Sequence, residues 1–180
     1  KKRGIETFCR KTVYVIQASF AKIRYFCNIG LHHKLNHKKS TRMNFELTEE
    51  HLAVQEAARD FAQKELKPGV IERDSKMIYA LEQIKMMGDL GFMGMMVSPE
   101  YGGGGMDTIS YCLAMEEISK IDNSCSVAMS VNNSLVCWGL ETFGSEDQKQ
   151  KYLTKLAVGE WIGAFCLSEP EAGSDATSQQ

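Results

Sequence analysis

The chain has 180 residues, 43% of them hydrophobic and 9% aromatic, with 15 Gly and 3 Pro. That balance excludes a mostly disordered chain and a collagen-like or proline-rich polymer, and no apolar run approaches the roughly 18 residues that span a bilayer. The formal charge of −2 hides a split: residues 1–42 carry eleven Lys or Arg and one acid, a formal +10, which leaves ten basic and 22 acidic residues, a formal −12, from Met43 onward.

Three readings of the basic segment 1–42 compete. Dense positive charge suits a nucleic-acid arm, because it releases counterions from phosphate. Scarcity of acids suits an organelle transit peptide, although Lys outnumbers Arg and only Ser19 and Ser40 are serines. The third reading, sequence upstream of a start at Met43, fits best, with 1–42 outside the native fold and dispensable. His32, His33 and His37 have no Cys or carboxylate at matching spacing, so they read as solvated residues rather than metal ligands.

Five helices follow. Thr48 caps a first helix over 48–66, with Leu52, Ala53, Ala57, Phe61 and Ala62 as its apolar face and Pro68-Gly69 as its stop. A second spans about 79–90 with Leu81, Ile84, Met87 and Leu90 inward, and ends at Gly91. The run Gly102–Gly105 reads as a flexible connection, since no GKS/T follows it and its spacing is not GxGxxG. Asp107 caps a third helix to about Lys120 that buries Ile109, Cys112, Leu113 and Met115. Asn123 or Ser124 opens a fourth, with Val127, Ala128, Val131, Leu135 and Trp138 available for burial. Ser145 and Gln148 form a capping box for a fifth, carrying Tyr152, Leu153 and Leu156.

At Gly159 the pattern changes. Trp161–Leu167 is apolar and too short for a helix before Pro170, which reads as a buried strand. One strand cannot satisfy its own ladder, so the expectation is a mainly α chain that stops just inside a second, β-rich domain.

Few residues before that point suggest chemistry. His51 lies in a helix's first turn with no evident partner, and Glu116-Glu117 read as a solvated or salt-bridged face, because adjacent helical residues diverge. Met86, Met87, Met93, Met95 and Met96 read as core, with an acyl pocket as the sharper alternative. Cys112, Cys125, Cys137 and Cys166 stand among apolar neighbours and no CxxC occurs, which suits a reduced intracellular protein. The stretch Ser168–Asp175 differs: small and polar residues crowd one turn after the apolar run, Gly173 allows a backbone to approach a ligand, and the N–H groups of 172–174 suit an anion. A tight loop without a ligand is the equal alternative.

The run Phe165–Ser178, FCLSEPEAGSDATS, resembles the signature of the flavin-dependent acyl-CoA dehydrogenases. Leu47–Leu66 is similar to that family's first helix, Ser98–Asp107 to its glycine-rich interhelical loop, and Phe143–Leu153 to the segment before its middle domain. The resemblance covers Met43 to Gln180. It implies an all-helical N-terminal domain over 43–158, and at 159–180 the first strand of a truncated β-barrel middle domain with the FAD-binding signature. It implies further that Phe165, Cys166, Leu167 and Ser168 run along the flavin, that Gly173 and Ser174 approach the FAD pyrophosphate and the CoA arm, and that Ser174, Val131 and Leu135 meet the acyl-CoA. Glu171 stands where many members have a smaller residue.

The implied activity is α,β-dehydrogenation of acyl-CoA to trans-2-enoyl-CoA, of short-chain or butyryl type, with electrons passing to electron-transfer flavoprotein. The catalytic base would belong to a C-terminal domain outside this chain, so the chain alone is expected to be inactive. The resemblance also implies a homotetramer, with no nucleic-acid partner and no membrane insertion. The expected compartment is the cytoplasm, or the mitochondrial matrix if 1–42 is a transit peptide. Alternatives are an acyl-CoA oxidase, a branched-chain or glutaryl-CoA relative, and a non-catalytic helical interaction domain.

Overall fold

The computed structural model describes residues 45–179. The readings of 1–42, with Cys9, Cys27, His32, His33 and His37, lie outside the described residues. The chain divides into a helical unit, Leu47–Phe165, and a small unit that contains Cys166–Gln180.

Helix α1 spans Glu49–Phe61 and opens with a reciprocal cap. The Thr48 hydroxyl accepts from His51 N at 3.2 Å, and His51 Nδ1 accepts from Thr48 N at 3.2 Å. The helix widens into a π turn at Ala62–Leu66 and stops at the expected Pro68-Gly69. Its buried face is His51, Val54, Ala58, Phe61, Ala62 and Leu66. Leu52, Ala53 and Ala57, expected inward, are exposed. Alanines lie on both the buried and the exposed sides of this helix, Ala58 and Ala62 inward and Ala53 and Ala57 outward, so apolar periodicity alone selects no unique face.

Helix α2, Val70–Ser75, has no counterpart among the expected helices and buries no residue. Helix α3, Leu81–Asp89, buries Ile84, Met87 and Gly88 and leaves Leu90 exposed. Two 3₁₀ turns follow, Phe92–Gly94 and Pro99–Tyr101. Met87, Met93 and Met95 are fully buried, as core packing requires, whereas Met86 is exposed.

The glycine run is held closely rather than left slack. Gly104 N donates to Gly94 O at 2.9 Å, Gly105 N to Val97 O at 2.8 Å and Met106 N to Met95 O at 2.8 Å. A Cβ on Gly103 would stand 2.2 Å from Val97 O, so only glycine permits this backbone approach.

Helix α4, Thr108–Ser119, lies along α1 and is capped by Asp107, as expected. It buries Ser110, Tyr111, Ala114, Glu117 and Ile118, while Ile109 and Cys112 face out and Leu113 and Met115 are half-buried. The inward face includes polar residues that a hydrophobic pattern passes over. Glu117 is inward because Arg59 Nη2 and Gln55 Nε2 of α1 donate to its carboxylate, at 2.9 Å and 3.2 Å.

Asp122 caps α5, Asn123–Ser130, which continues without a break through a π segment, Val131–Cys137, into α6, Trp138–Phe143. Ser145 and Gln148 cap α7, Glu146–Gln148, which runs through a π segment, Lys149–Leu153, into α8, Thr154–Ala157. Leu153 and Leu156 are buried as expected. Of the residues expected to be buried on the fourth helix, Val127, Leu135 and Trp138 are exposed.

Trp161–Leu167 leaves the helical state but forms no named strand among the described residues. Gly163 is buried, Trp161, Ile162 and Ala164 are half-buried, and Phe165–Leu167 are exposed. A strand is defined by a ladder, and among the described residues this segment has single backbone hydrogen bonds, such as Trp161 N to Lys155 O at 3.1 Å, rather than a run of paired residues.

Candidate functional site

The helical unit releases the chain at a close-packed junction. Asn132 and Asn133 are consecutive on the π segment, and both are buried. The Asn132 amide bonds three separate segments. Nδ2 donates to Met93 O at 2.8 Å and to Leu156 O at 3.0 Å, while Oδ1 accepts from Gly163 N at 2.8 Å. Asn133 Nδ2 donates to Phe92 O at 2.9 Å and Met129 O at 3.0 Å. Gly163 sits against Val136: a Cβ there would lie 2.8 Å from the valine Cβ. Sequence reasoning passed over Asn132, Asn133 and Gly163. The available signal was a pair of amides inside an otherwise apolar helical stretch.

Val131 and Leu135, the residues assigned to an acyl cavity, lie on the same π segment, half-buried and exposed respectively. Phe165, two residues beyond Gly163, ends the helical unit and is 37% exposed. These residues thus belong to one unit, linked through the Asn132–Gly163 bond.

The other expected site residues lie in the small unit. Cys166, Leu167, Ser168, Gly173 and Ser174 are all exposed. Glu169 and Ala172 exchange backbone hydrogen bonds at 3.1 Å in both directions, closing a turn over Pro170 and Glu171. Ala172 is buried, and Gly173 and Ser174 follow it directly. The Gln179 side chain donates to Leu167 O, so the run is tied from its far end. Asp175 accepts from the Ser178 hydroxyl at 2.6 Å and from Thr177 N at 3.2 Å, and these contacts, the serine first and the Thr177 hydroxyl next, hold its carboxyl below the usual range.

The donor set suits a polar, planar or anionic ligand. Ser168 and Ser174 are exposed, and apart from its chain neighbours nothing lies within 4 Å of where a Cβ on Gly173 would stand. A backbone that stands clear on one side is open to close approach.

His51 Nε2 meets Asp107 Oδ2 at 2.9 Å, and Nδ1 already accepts from Thr48 N, so the Nε2–H tautomer satisfies both contacts. His51, which shows no evident partner in the sequence, thus pairs with an aspartate 56 residues away. Cys112, Cys125, Cys137 and Cys166 are free thiols; burial pushes those of Cys125 and Cys137 up to about 12. Among the described residues no group of three His, Cys, Asp or Glu is placed to hold a metal ion, and no helix is long and apolar enough to cross a membrane.

Known proteins resemble this chain closely. The family model for the acyl-CoA dehydrogenase N-terminal domain matches residues 48–160. A short-chain specific acyl-CoA dehydrogenase of Clostridium acetobutylicum is 45% identical over 138 residues, which are 77% of this chain and 36% of the relative. The solved butyryl-CoA dehydrogenase of Megasphaera elsdenii superposes with a TM-score of 0.71 at 42% identity, over 77% of this chain and 37% of its own. A structure reported for the electron transferring flavoprotein of Acidaminococcus fermentans gives a TM-score of 0.73 at 46% identity, over 77% of this chain and 36% of the other. The chain therefore spans little more than a third of the relatives it matches.

Proposed function

The chain belongs to the acyl-CoA dehydrogenase family, of which it carries the N-terminal domain, and from that premise we propose that it forms part of an FAD-dependent dehydrogenase of short-chain acyl-CoA thioesters. The observation that carries the reading is the run Phe165–Ser178, whose serines and glycine are exposed at the end of a domain of this family. In this reading Phe165, Cys166, Leu167, Ser168, Gly173 and Ser174 hold FAD, and Ser174 also contacts the thioester. The chemistry FAD supplies there is acceptance of the hydride that leaves the β-carbon.

The contributions of this chain are orientation and exclusion of water. The Ser168 hydroxyl donates to a planar acceptor and fixes its angle. The backbone N–H groups of Gly173 and Ser174 face a pyrophosphate, whereas that of Ala172 already donates to Glu169 O. Val131 and Leu135 offer apolar surface to a short acyl chain. The α-proton passes to a carboxylate outside this chain, as the resemblance implies. The short-chain specific and butyryl-CoA dehydrogenase relatives support a butyryl-sized substrate, and the Acidaminococcus structure supports electron-transfer flavoprotein as the acceptor. Assembly as a homotetramer belongs to the same proposal.

The test uses the complete protein that carries these residues, purified and assayed with butyryl-, octanoyl-, isovaleryl- and glutaryl-CoA. One arm supplies electron-transfer flavoprotein and the other only oxygen. The expected outcome is bound flavin, fastest turnover of butyryl-CoA and dependence on the flavoprotein. Peroxide formation in the oxygen arm would reassign the protein as an oxidase. A colourless protein that oxidises none of the four would overturn the reading.

A further inference from the structure

We propose that Asn132 is a positioning residue for the flavin site, acting through Gly163. The inference rests on the dehydrogenase reading above and adds a residue that the reading does not contain.

Three observations carry it. First, Asn132 is fully buried, and its amide makes three bonds to backbone groups in three segments: the Phe92–Gly94 turn, α8 and the departing chain at Gly163. A buried amide with three well-formed bonds is fixed in angle as well as place. Second, Gly163 has no room to shift toward the helix, because Val136 occupies the space a Cβ would need. The amide pulls Gly163 N inward and the valine stops it, which fixes the height of the chain two residues before Phe165. Third, the π segment that carries Asn132 also carries Val131 and Leu135. Any rotation of that segment moves the apolar strip and the Gly163 anchor together. The substrate-facing strip and the entry to the signature therefore share one register, set by a side chain that touches neither ligand.

Asn133 is the internal control. It is equally buried on the same segment and also bonds two carbonyls, Phe92 O and Met129 O, but makes no bond to the departing chain. Asn132→Leu and Asn133→Leu each remove a buried amide at near-constant size and orphan buried backbone groups. Both should lower the melting temperature.

Only Asn132→Leu should alter the chemistry. Measured on the flavin-loaded complete protein, kcat per bound flavin should fall by about ten- to hundredfold, the scale expected when a reacting group is displaced by roughly 1 Å. KM for butyryl-CoA should change far less, and the visible flavin bands should shift. Asn133→Leu should keep the wild-type spectrum and kcat per flavin. Equal impairment of both variants, or none in either, would overturn the proposal.

If Asn132→Leu fails to fold, amide hydrogen exchange on the unmodified protein decides. Gly163 N–H should be as protected as the core of α4, both with FAD bound and after its removal. A Gly163 amide that exchanges freely in the flavin-free protein would overturn the proposal. A protected Gly163 in a protein that never binds flavin would instead overturn the dehydrogenase reading and leave the anchor standing.

Discussion

The Asp107 carboxylate accepts from Ser110 N at 2.8 Å and faces His51 Nε2 at 2.9 Å. Its carboxyl is held down at about 2, first by the Ser110 backbone N–H and then by the His51 contact. A carboxylate whose pKa is lower folded than unfolded favours folding once the pH lies above its unfolded value near 4. That contribution fades as the pH falls from about 4 toward 2. Asp107→Asn keeps a capping oxygen but loses the charge, so its melting temperature should depend less on pH across that window. Asp107→Ala should also lose the cap and melt lower at neutral pH. Melting curves from pH 2 to 7 for the three proteins check this. An Asn variant whose acid sensitivity matches wild type would remove Asp107 from the account.

Helix α2 shows how an element can be held without an apolar face. It buries none of its own residues, yet Arg73 is 13% exposed. Arg73 Nη2 donates to Leu66 O and, at 3.0 Å, to Asp122 Oδ2, while Nη1 donates to Pro68 O at 3.0 Å. Asp122 in turn caps α5 through Ser124 N and Cys125 N, both at 3.1 Å. Burial acts to raise the Asp122 carboxyl, but the Ser124 hydroxyl and Arg73 outweigh it and the net shift is downward. Removing one partner of a buried pair strands the other, at about 3–5 kcal/mol. Asp122→Ala should reach that range in chemical denaturation, because it loses a cap as well. Arg73→Ala should cost less globally but raise amide exchange locally across 70–75. Unchanged exchange there would show that α2 is held by something else. This arrangement also explains what was legible in the sequence. Thr48, Asp107 and Ser145 were readable as caps because a cap uses a residue type within three positions of its partner. The α2 anchor was not, since Arg73 and Asp122 are 49 residues apart. The inward faces of α1 and α4 were misassigned for a related reason. Small or weakly apolar residues, alanines in α1 and Ala, Cys and Met in α4, lie on more than one side of each helix, and the inward face includes long-range polar contacts such as Arg59–Glu117. Asn132 was invisible on the same ground, with partners 24 to 39 residues away. The exposed turn of the signature was legible because its small and polar residues are contiguous, and the role proposed for it rests on resemblance.

At the scale of the whole chain, the decisive question is whether these residues can hold FAD alone. Each net hydrogen bond that Ser168, Ser174 or a nearby N–H offers contributes about 1 kcal/mol. Association costs an estimated 4–15 kcal/mol before any contact is counted. A few exposed donors cannot offset that, and Phe165 and Leu167, both more than a third exposed, bury too little to close the gap. The purified 180-residue chain should therefore be helical by circular dichroism, melt cooperatively, stay colourless after dialysis against FAD, and leave butyryl-CoA unoxidised. Thiol reactivity reads the same point residue by residue. Cys112 and Cys166 are exposed, whereas Cys125 and Cys137 are buried with thiols pushed up to about 12. Alkylation followed by peptide mapping should label Cys112 and Cys166 quickly in the native chain, and Cys125 and Cys137 only after unfolding. In the complete, flavin-loaded protein Cys166 should become protected while Cys112 stays reactive, because only Cys166 belongs to the proposed flavin contact. A yellow 180-residue chain would show that the signature needs no second domain to bind FAD. A Cys166 that reacts equally fast with and without flavin would remove it from the contact.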